Sequence, residues 1–106
     1  MFDLTGKVAV VTGGAGGLGR PISIGLAKAG ADVVVDDLEK ANPQAVADEV
    51  KALGRKALAV SYDVTSAEAM QQMVDQVQKE FGTLDILMNT AGIHCRFSAE
   101  EMPAAG

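Results

Sequence analysis

The sequence predicts an α/β fold: a parallel sheet in strand order 3-2-1-4 with flanking helices, forming the first half of a doubly wound, Rossmann-like architecture. Three observations predict it. Four short apolar segments alternate with three stretches of helical periodicity, the rhythm of repeated βαβ units. A glycine cluster occupies the first strand-to-helix turn, and an acidic pair closes the second strand. The chain has 106 residues, one domain's worth, and no linker interrupts it.

Val8 to Val11 is β-branched and uninterrupted, as expected of a strand buried on both faces. Val33 to Val35, Ala57 to Val60 and Leu84 to Met88 repeat that character, and the last is expected to be an open apolar edge. Leu18, Ile22, Leu26 and Ala29 recur at helical spacing, with Gly30 as left-handed cap. Pro21 falls in that helix's first turn, where its missing N–H costs no intrahelical bond. A second helix opens with Asn42 as cap and Pro43 at its first position, carries Val46, Val50 and Leu53 on one face, and stops at Gly54. For the third, Thr65 to Glu68 reads as a capping box. Met70, Met73, Val74, Val77 and Phe81 then form a packing stripe that ends before Gly82. All crossovers are expected to be right-handed.

Hydrophobic residues make up 48% and charged residues 22%, a globular composition. Nine basic against fourteen acidic side chains leave a net charge of −5, and the basic residues are scattered. Nucleic-acid binding depends on a basic patch, so it is not expected. The apolar runs are too short to span a bilayer, and the first residues lack the pattern of a secretory signal. The single Cys95 has no internal disulfide partner. A cytoplasmic location is expected.

The first strand runs into Thr12-Gly13-Gly14-Ala15-Gly16-Gly17-Leu18-Gly19 and then directly into a helix. Glycines allow close backbone approach to a pyrophosphate, and the free N–H groups and dipole of a helix start stabilise its charge. Two registers fit: G-x-G-x-x-G at Gly14, Gly16 and Gly19, or T-G-x-x-x-G-x-G at Thr12, Gly13, Gly17 and Gly19. A tight turn needing glycine only for geometry is the plain alternative. Asp37 follows roughly twenty residues after the last glycine, where a dinucleotide fold places the carboxylate that binds the adenine ribose. Such a carboxylate accepts both ribose hydroxyls and repels a 2′-phosphate, so NAD is expected over NADP. Strand alternation lets only one of Asp36 and Asp37 face the ribose, and Asp36 reads as a solvated strand end. Asp63 and Val64, after the third strand, are candidates for the adenine pocket, although a loop aspartate before a helix also serves as a turn residue. Asn89-Thr90-Ala91-Gly92 places small residues at the carboxyl edge of the sheet, where ligands bind in open α/β folds.

From Leu4-Thr5-Gly6-Lys7 to Ala91-Gly92-Ile93 the chain resembles the N-terminal part of the short-chain dehydrogenase/reductase family. The resemblance favours the register at Thr12, Gly13, Gly17 and Gly19, with Leu18 between the last two as a further cofactor contact. It implies ribose recognition by Asp37 and an adenine pocket at Asp63 and Val64. It also places Asn89, Ala91 and Gly92 at the cofactor, with Thr90 where the family's motif has a second asparagine. The segment from Gly17 to Val35 resembles members acting on sugar acids and polyols.

The family's catalytic Ser and Tyr-x-x-x-Lys pair are not found here. The only tyrosine is Tyr62, with Ser66 rather than lysine four residues on. Residues 1–106 are therefore expected to be a dinucleotide-binding domain that stops before the catalytic half. It would be the cofactor-binding portion of an NAD-dependent oxidoreductase moving hydride to or from an alcohol or ketone, and homo-oligomeric. A non-catalytic dinucleotide-binding or interaction module is the alternative. His94 and Cys95 have no second His or Cys to complete a metal set, and they read as part of a loop, with Ser98 to Gly106 as an interrupted connection.

Overall fold

A computed structural model describes residues 3–90 and 94–97, the last four by their backbone alone. The elements run β1 (Val8–Thr12), α1 (Gly19–Lys28), β2 (Asp32–Asp36), a short 3₁₀ turn (Glu39–Ala41), α2 (Pro43–Ala52), β3 (Ala57–Val60), α3 (Ala67–Phe81), β4 (Ile86–Asn89) and β5 (His94–Phe97). The sheet order is β3-β2-β1-β4-β5. The first four strands are parallel in the expected 3-2-1-4 order, and β5 pairs antiparallel to β4. The expectation of an open edge at β4 is thereby corrected. So is the placement of His94 and Cys95 in a loop, because both belong to β5 and His94 pairs with Asn89. The stretch from Ser98 to Gly106 lies outside the described residues.

Alternation along the strands divides the core into two layers. Val11, Val33 and Val35 face α1 and α2, where they pack with Ala27, Val46, Ala47 and Val50. Val8, Val10, Val34 and Val60 face α3, where they pack with Met73 and Val77. The stripe expected on α3 is the one that packs, with Met70 and Phe81 flanking it. On α1 the fully buried residues are Gly19, Ser23 and Ala27, with Ile22 and Leu26 half-buried beside them. The expected stripe is thus displaced by one position, and Leu18 is 47% exposed. Small residues occupy the closest line of contact, which brings α1 tight against the sheet. Leu53 is exposed past the end of α2, outside the face formed by Pro43, Val46, Ala47 and Val50.

The helix ends follow local chemistry. Gly30 has φ +111° and ends α1, while Gly82, at φ +85°, caps α3. The N-cap of α3 is Ser66, whose hydroxyl accepts from the Ala69 amide at 3.1 Å. The capping box expected from Thr65 and Glu68 is therefore replaced by a cap one residue later. Asn42 precedes α2 in the left-handed region, φ 57°, and makes no side-chain cap bond. Its role is to take a backbone conformation that asparagine tolerates. β4 begins two residues later than expected, because the Asp85 carboxylate turns back to accept from the Val8 amide at 2.9 Å.

Met73 is fully buried and Leu53 is not, so truncating each to alanine separates packing from helix propensity. Met73→Ala is expected to cost about 2–5 kcal/mol in urea unfolding, and Leu53→Ala under about 1 kcal/mol. Equal losses would contradict the assignment of the α3 face.

Candidate functional site

The two neighbours of β1 are aligned so that Thr12 lies opposite Asp36 on one side and Asn89 on the other. Two residues back, the same alignment joins Val34, Val10 and Leu87, an apolar row facing α3. The chemistry of the sheet thus changes from apolar to polar within two residues at its carboxyl rim. A cavity of ≈ 410 Å³ opens there, within the range typical of small-molecule sites. Its walls bring together Thr12, Gly13, Asp37, Asp63, Val64 and Asn89, six of the residues singled out from sequence.

Gly17, Leu18 and Gly19 are not in the cavity wall. They form the adjoining glycine turn and the start of α1, and Ala91 and Gly92 lie outside the described residues. Within the turn, three glycines are fixed by contact, Gly14 among them because a Cβ there would press on the Val11 carbonyl oxygen. A Cβ on Gly13 would overlap the Thr90 hydroxyl, and one on Gly19 would overlap the Gly13 carbonyl oxygen. Gly17 is different: it is exposed, and a Cβ there would meet nothing. Helix α1 starts without a side-chain cap on Leu18 and without an acidic residue in its first turn. Its positive end is left without a counter-charge from its own first turn.

The two aspartates at the end of β2 point to opposite sides of the strand. Asp37 reaches the glycine turn, where its carboxylate accepts from the Ala15 amide at 3.0 Å and from the Leu38 amide at 2.8 Å. Asp36 faces the α3 side and accepts from the Tyr62 amide at 2.8 Å through Oδ1. It is 0% exposed, and its Oδ2 has no hydrogen-bond partner among the described residues. The expectation of a solvated strand end is corrected, because the side chain is enclosed by the rim. Burial raises its pKa from the ordinary 3.8 to about 6. The Tyr62 amide opposes that shift, and the nearby Asp37 charge adds to it.

Asp63 ties its own turn, its Oδ1 accepting from the Thr65 amide at 2.9 Å and the Thr65 hydroxyl at 2.6 Å. Those bonds, the hydroxyl's first, hold its pKa below the ordinary carboxylate value. Val64 and Leu38 are exposed apolar side chains on the same cavity. Ser61, Tyr62, Leu38 and Thr65 also line it and were not singled out for the site from sequence. The available signal was position, since each follows the carboxyl end of β2 or β3. Tyr62 packs against the α3 layer, and its hydroxyl donates to Gln76 at 2.7 Å. Thr90, the departure from the family's paired asparagines, donates its hydroxyl to the Thr12 carbonyl at 2.9 Å. No group of three His, Cys, Asp or Glu side chains among the described residues is placed to hold a metal. None of the described helices is long and apolar enough to cross a membrane.

The sequence matches the short chain dehydrogenase family over residues 7–105. The chain belongs to that family. It is 41% identical over 100 residues to the 2-dehydro-3-deoxy-D-gluconate 5-dehydrogenase of Escherichia coli, covering 94% of this chain and 39% of that enzyme. Among solved structures it resembles a short chain dehydrogenase from Burkholderia cenocepacia in complex with NADP, with 42% identity and a TM-score of 0.78. That match covers 96% of this chain and 42% of the other. It also resembles an NAD+-bound xylitol dehydrogenase, with 34% identity and a TM-score of 0.75 over 80% of this chain and 33% of the other. The chain spans about two fifths or less of the length of these relatives.

Two outcomes are expected at the site. Gly19→Ala, which forces a Cβ against the Gly13 carbonyl, should cost about 1–3 kcal/mol or more, whereas Gly17→Ala should stay near 0.5 kcal/mol in chemical denaturation. Because folding raises the Asp36 pKa, its contribution is fully present below the ordinary value of 3.8 and is lost as pH rises through about 6. That loss amounts to roughly 3 kcal/mol. Unfolding titrations across this window should show stability falling with pH in the wild type. Asp36→Asn should remove that component, and an unchanged profile would refute the assignment.

Proposed function

We propose that this chain is the cofactor-binding portion of an NAD-dependent short-chain oxidoreductase, holding the adenosine end of the dinucleotide in the rim cavity. The observation that carries the reading is Asp37. Its carboxylate is fixed by two backbone amides between the glycine turn and the cavity. A ribose there would meet a fixed acceptor for its two hydroxyls, while a 2′-phosphate would meet a like charge. No Lys or Arg lines the cavity among the described residues, so nothing in its wall offsets that repulsion. The related structures divide between NAD+ and NADP, and the preference for NAD rests on this chain's own carboxylate.

The residues present suit the group. Gly17 is not required by packing, which supports a role in letting the pyrophosphate approach. The uncapped start of α1 supplies amides and a positive dipole end for its charge. Leu38 and Val64 offer apolar contact for an adenine ring, and Asp63 and Asn89 offer polar contact. Thr12 and Thr90 hold the turn to the sheet. Ala91 and Gly92 are proposed to continue the site past Asn89. The bound nicotinamide would supply hydride exchange with an alcohol or ketone. The two dehydrogenase relatives named for a sugar acid and for xylitol support a sugar acid or polyol as that substrate. The alternative of a module without chemistry is not favoured by the family match. A cytoplasmic homo-oligomer remains part of the proposal.

Paired titrations with NADH and NADPH test the reading. The wild type should prefer NADH, and Asp37→Ser combined with Leu38→Arg should shift the preference toward NADPH by roughly 10- to 100-fold. Equal wild-type affinities would remove Asp37 from the ribose.

A further inference from the structure

The carboxyl group of Asp36 has no task in the reading above. It is fully buried, yet it belongs to the wall of the cavity, and its Oδ2 has no partner among the described residues. A buried carboxylate oxygen without a donor or counter-charge favours the neutral acid. The surroundings strengthen that preference. Thr12 of β1 faces it in register but sends its hydroxyl toward the Met88 carbonyl, at 3.4 Å. Asp37, directly after β2, adds a like charge, and Asp63, whose carboxylate is held by Thr65, lines the same cavity. Among the described residues, Asp36 accepts from the β3 to α3 segment through the Tyr62 amide, while the Tyr62 hydroxyl is turned to Gln76. On the far side β4 supplies Asn89 to the cavity wall. His94 follows on β5, three strand spacings from Asp36, about 14 Å and beyond strong coupling at ordinary salt.

Two consequences of seating a dinucleotide act on this carboxyl in the same direction. Covering the cavity removes the nearest solvent, and the pyrophosphate brings negative charge to the adjoining glycine turn. Both disfavour the ionised form. We propose that Asp36 couples dinucleotide binding to proton uptake, the protonated acid being the state that accepts the anionic cofactor. This inference rests on the dinucleotide reading of the cavity. The residue touches no reacting atom, so it is a positioning and electrostatic residue.

The free protein already titrates this carboxyl near pH 6, so the linkage falls in the range above that value. Affinity is expected to be highest below about pH 6 and to fall on going to pH 8, roughly tenfold for each unit by which binding raises the Asp36 pKa. The test is calorimetric titration of NAD+ into the chain at about pH 5.5, 6.5 and 8, in pairs of buffers with different ionisation enthalpies. Uptake of a fraction of a proton near the middle pH is expected in the wild type, and none in Asp36→Asn, whose affinity should not vary with pH. Carbon-13 observation of the Asp36 carboxyl in the wild type serves where the variant does not fold. Its midpoint should move upward when NAD+ is added. Binding without proton uptake, uptake that survives in Asp36→Asn, or a stationary midpoint overturns the coupling and leaves the cavity assignment intact. Failure of the wild type to bind NAD+ or NADPH at every pH overturns the cavity assignment and the coupling with it.

Discussion

The alignment of β1 with both its neighbours is the constraint from which the site follows. Thr12 lies level with Asp36 and with Asn89, so three chain segments leave the sheet at one height. Parallel pairing makes this possible, since every crossover returns the chain to the same end of the sheet. The two-residue repeat of a strand then decides what each departing residue can do. It sends Asp37 toward the glycine turn and Asp36 toward α3, although the two are neighbours in sequence. A slip of one residue in β2 would exchange these environments and expose the apolar row behind them.

The rim that results is acidic. Asp36, Asp37 and Asp63 share one cavity wall with no basic side chain among its described members, in a chain of net charge −5. An anionic ligand must therefore draw its stabilisation from backbone amides and from the start of α1 rather than from side-chain cations. Such a site discriminates by geometry, because amide donors are fixed while lysine and arginine side chains adapt. Burying Asp36 within it is costly on the scale of a small domain, whose whole stability is about 5–15 kcal/mol. A small apolar residue at this position would pack without that cost.

Helix number and the α3 core face were legible because they depend on periodicity, which sequence displays directly, and the 3-2-1-4 order followed from the doubly wound fold that the βαβ rhythm and the glycine turn imply. The α1 face was misjudged by one position, since Gly19, Ser23 and Ala27 are small and only the larger flanking Ile22 and Leu26 stand out in a hydrophobic pattern. Strand β5 was missed because His94-Cys95-Arg96-Phe97 has no β-branched residue and its polar–apolar alternation spans only four residues. Its pairing comes from the free edge that β4 offers. Spacing singled out Asp37 from the acidic pair, and the fold seats its carboxylate on the Ala15 amide of the glycine turn. The environment of Asp36 was not legible, because its burial depends on Thr12 and Tyr62, which reach it only through the sheet and the turn into α3.

Thr90 shows how one departure from a family pattern is accommodated by a distant glycine. Its hydroxyl lies where a Cβ on Gly13 would sit, and from there it donates to the Thr12 carbonyl. Its amide donates to the same carbonyl at 3.2 Å. The end of β1 is thus held by two donors from one residue after β4, and the glycine turn leaves the sheet from a fixed point. The absence of a side chain at position 13 therefore has two independent causes. The backbone there has φ +70°, which favours glycine, and the space beside it is already taken by Thr90. Substituting Thr90 with a residue lacking the hydroxyl would free the space without relieving the backbone. Position 13 would remain a glycine position even if the polar tie across the sheet were lost.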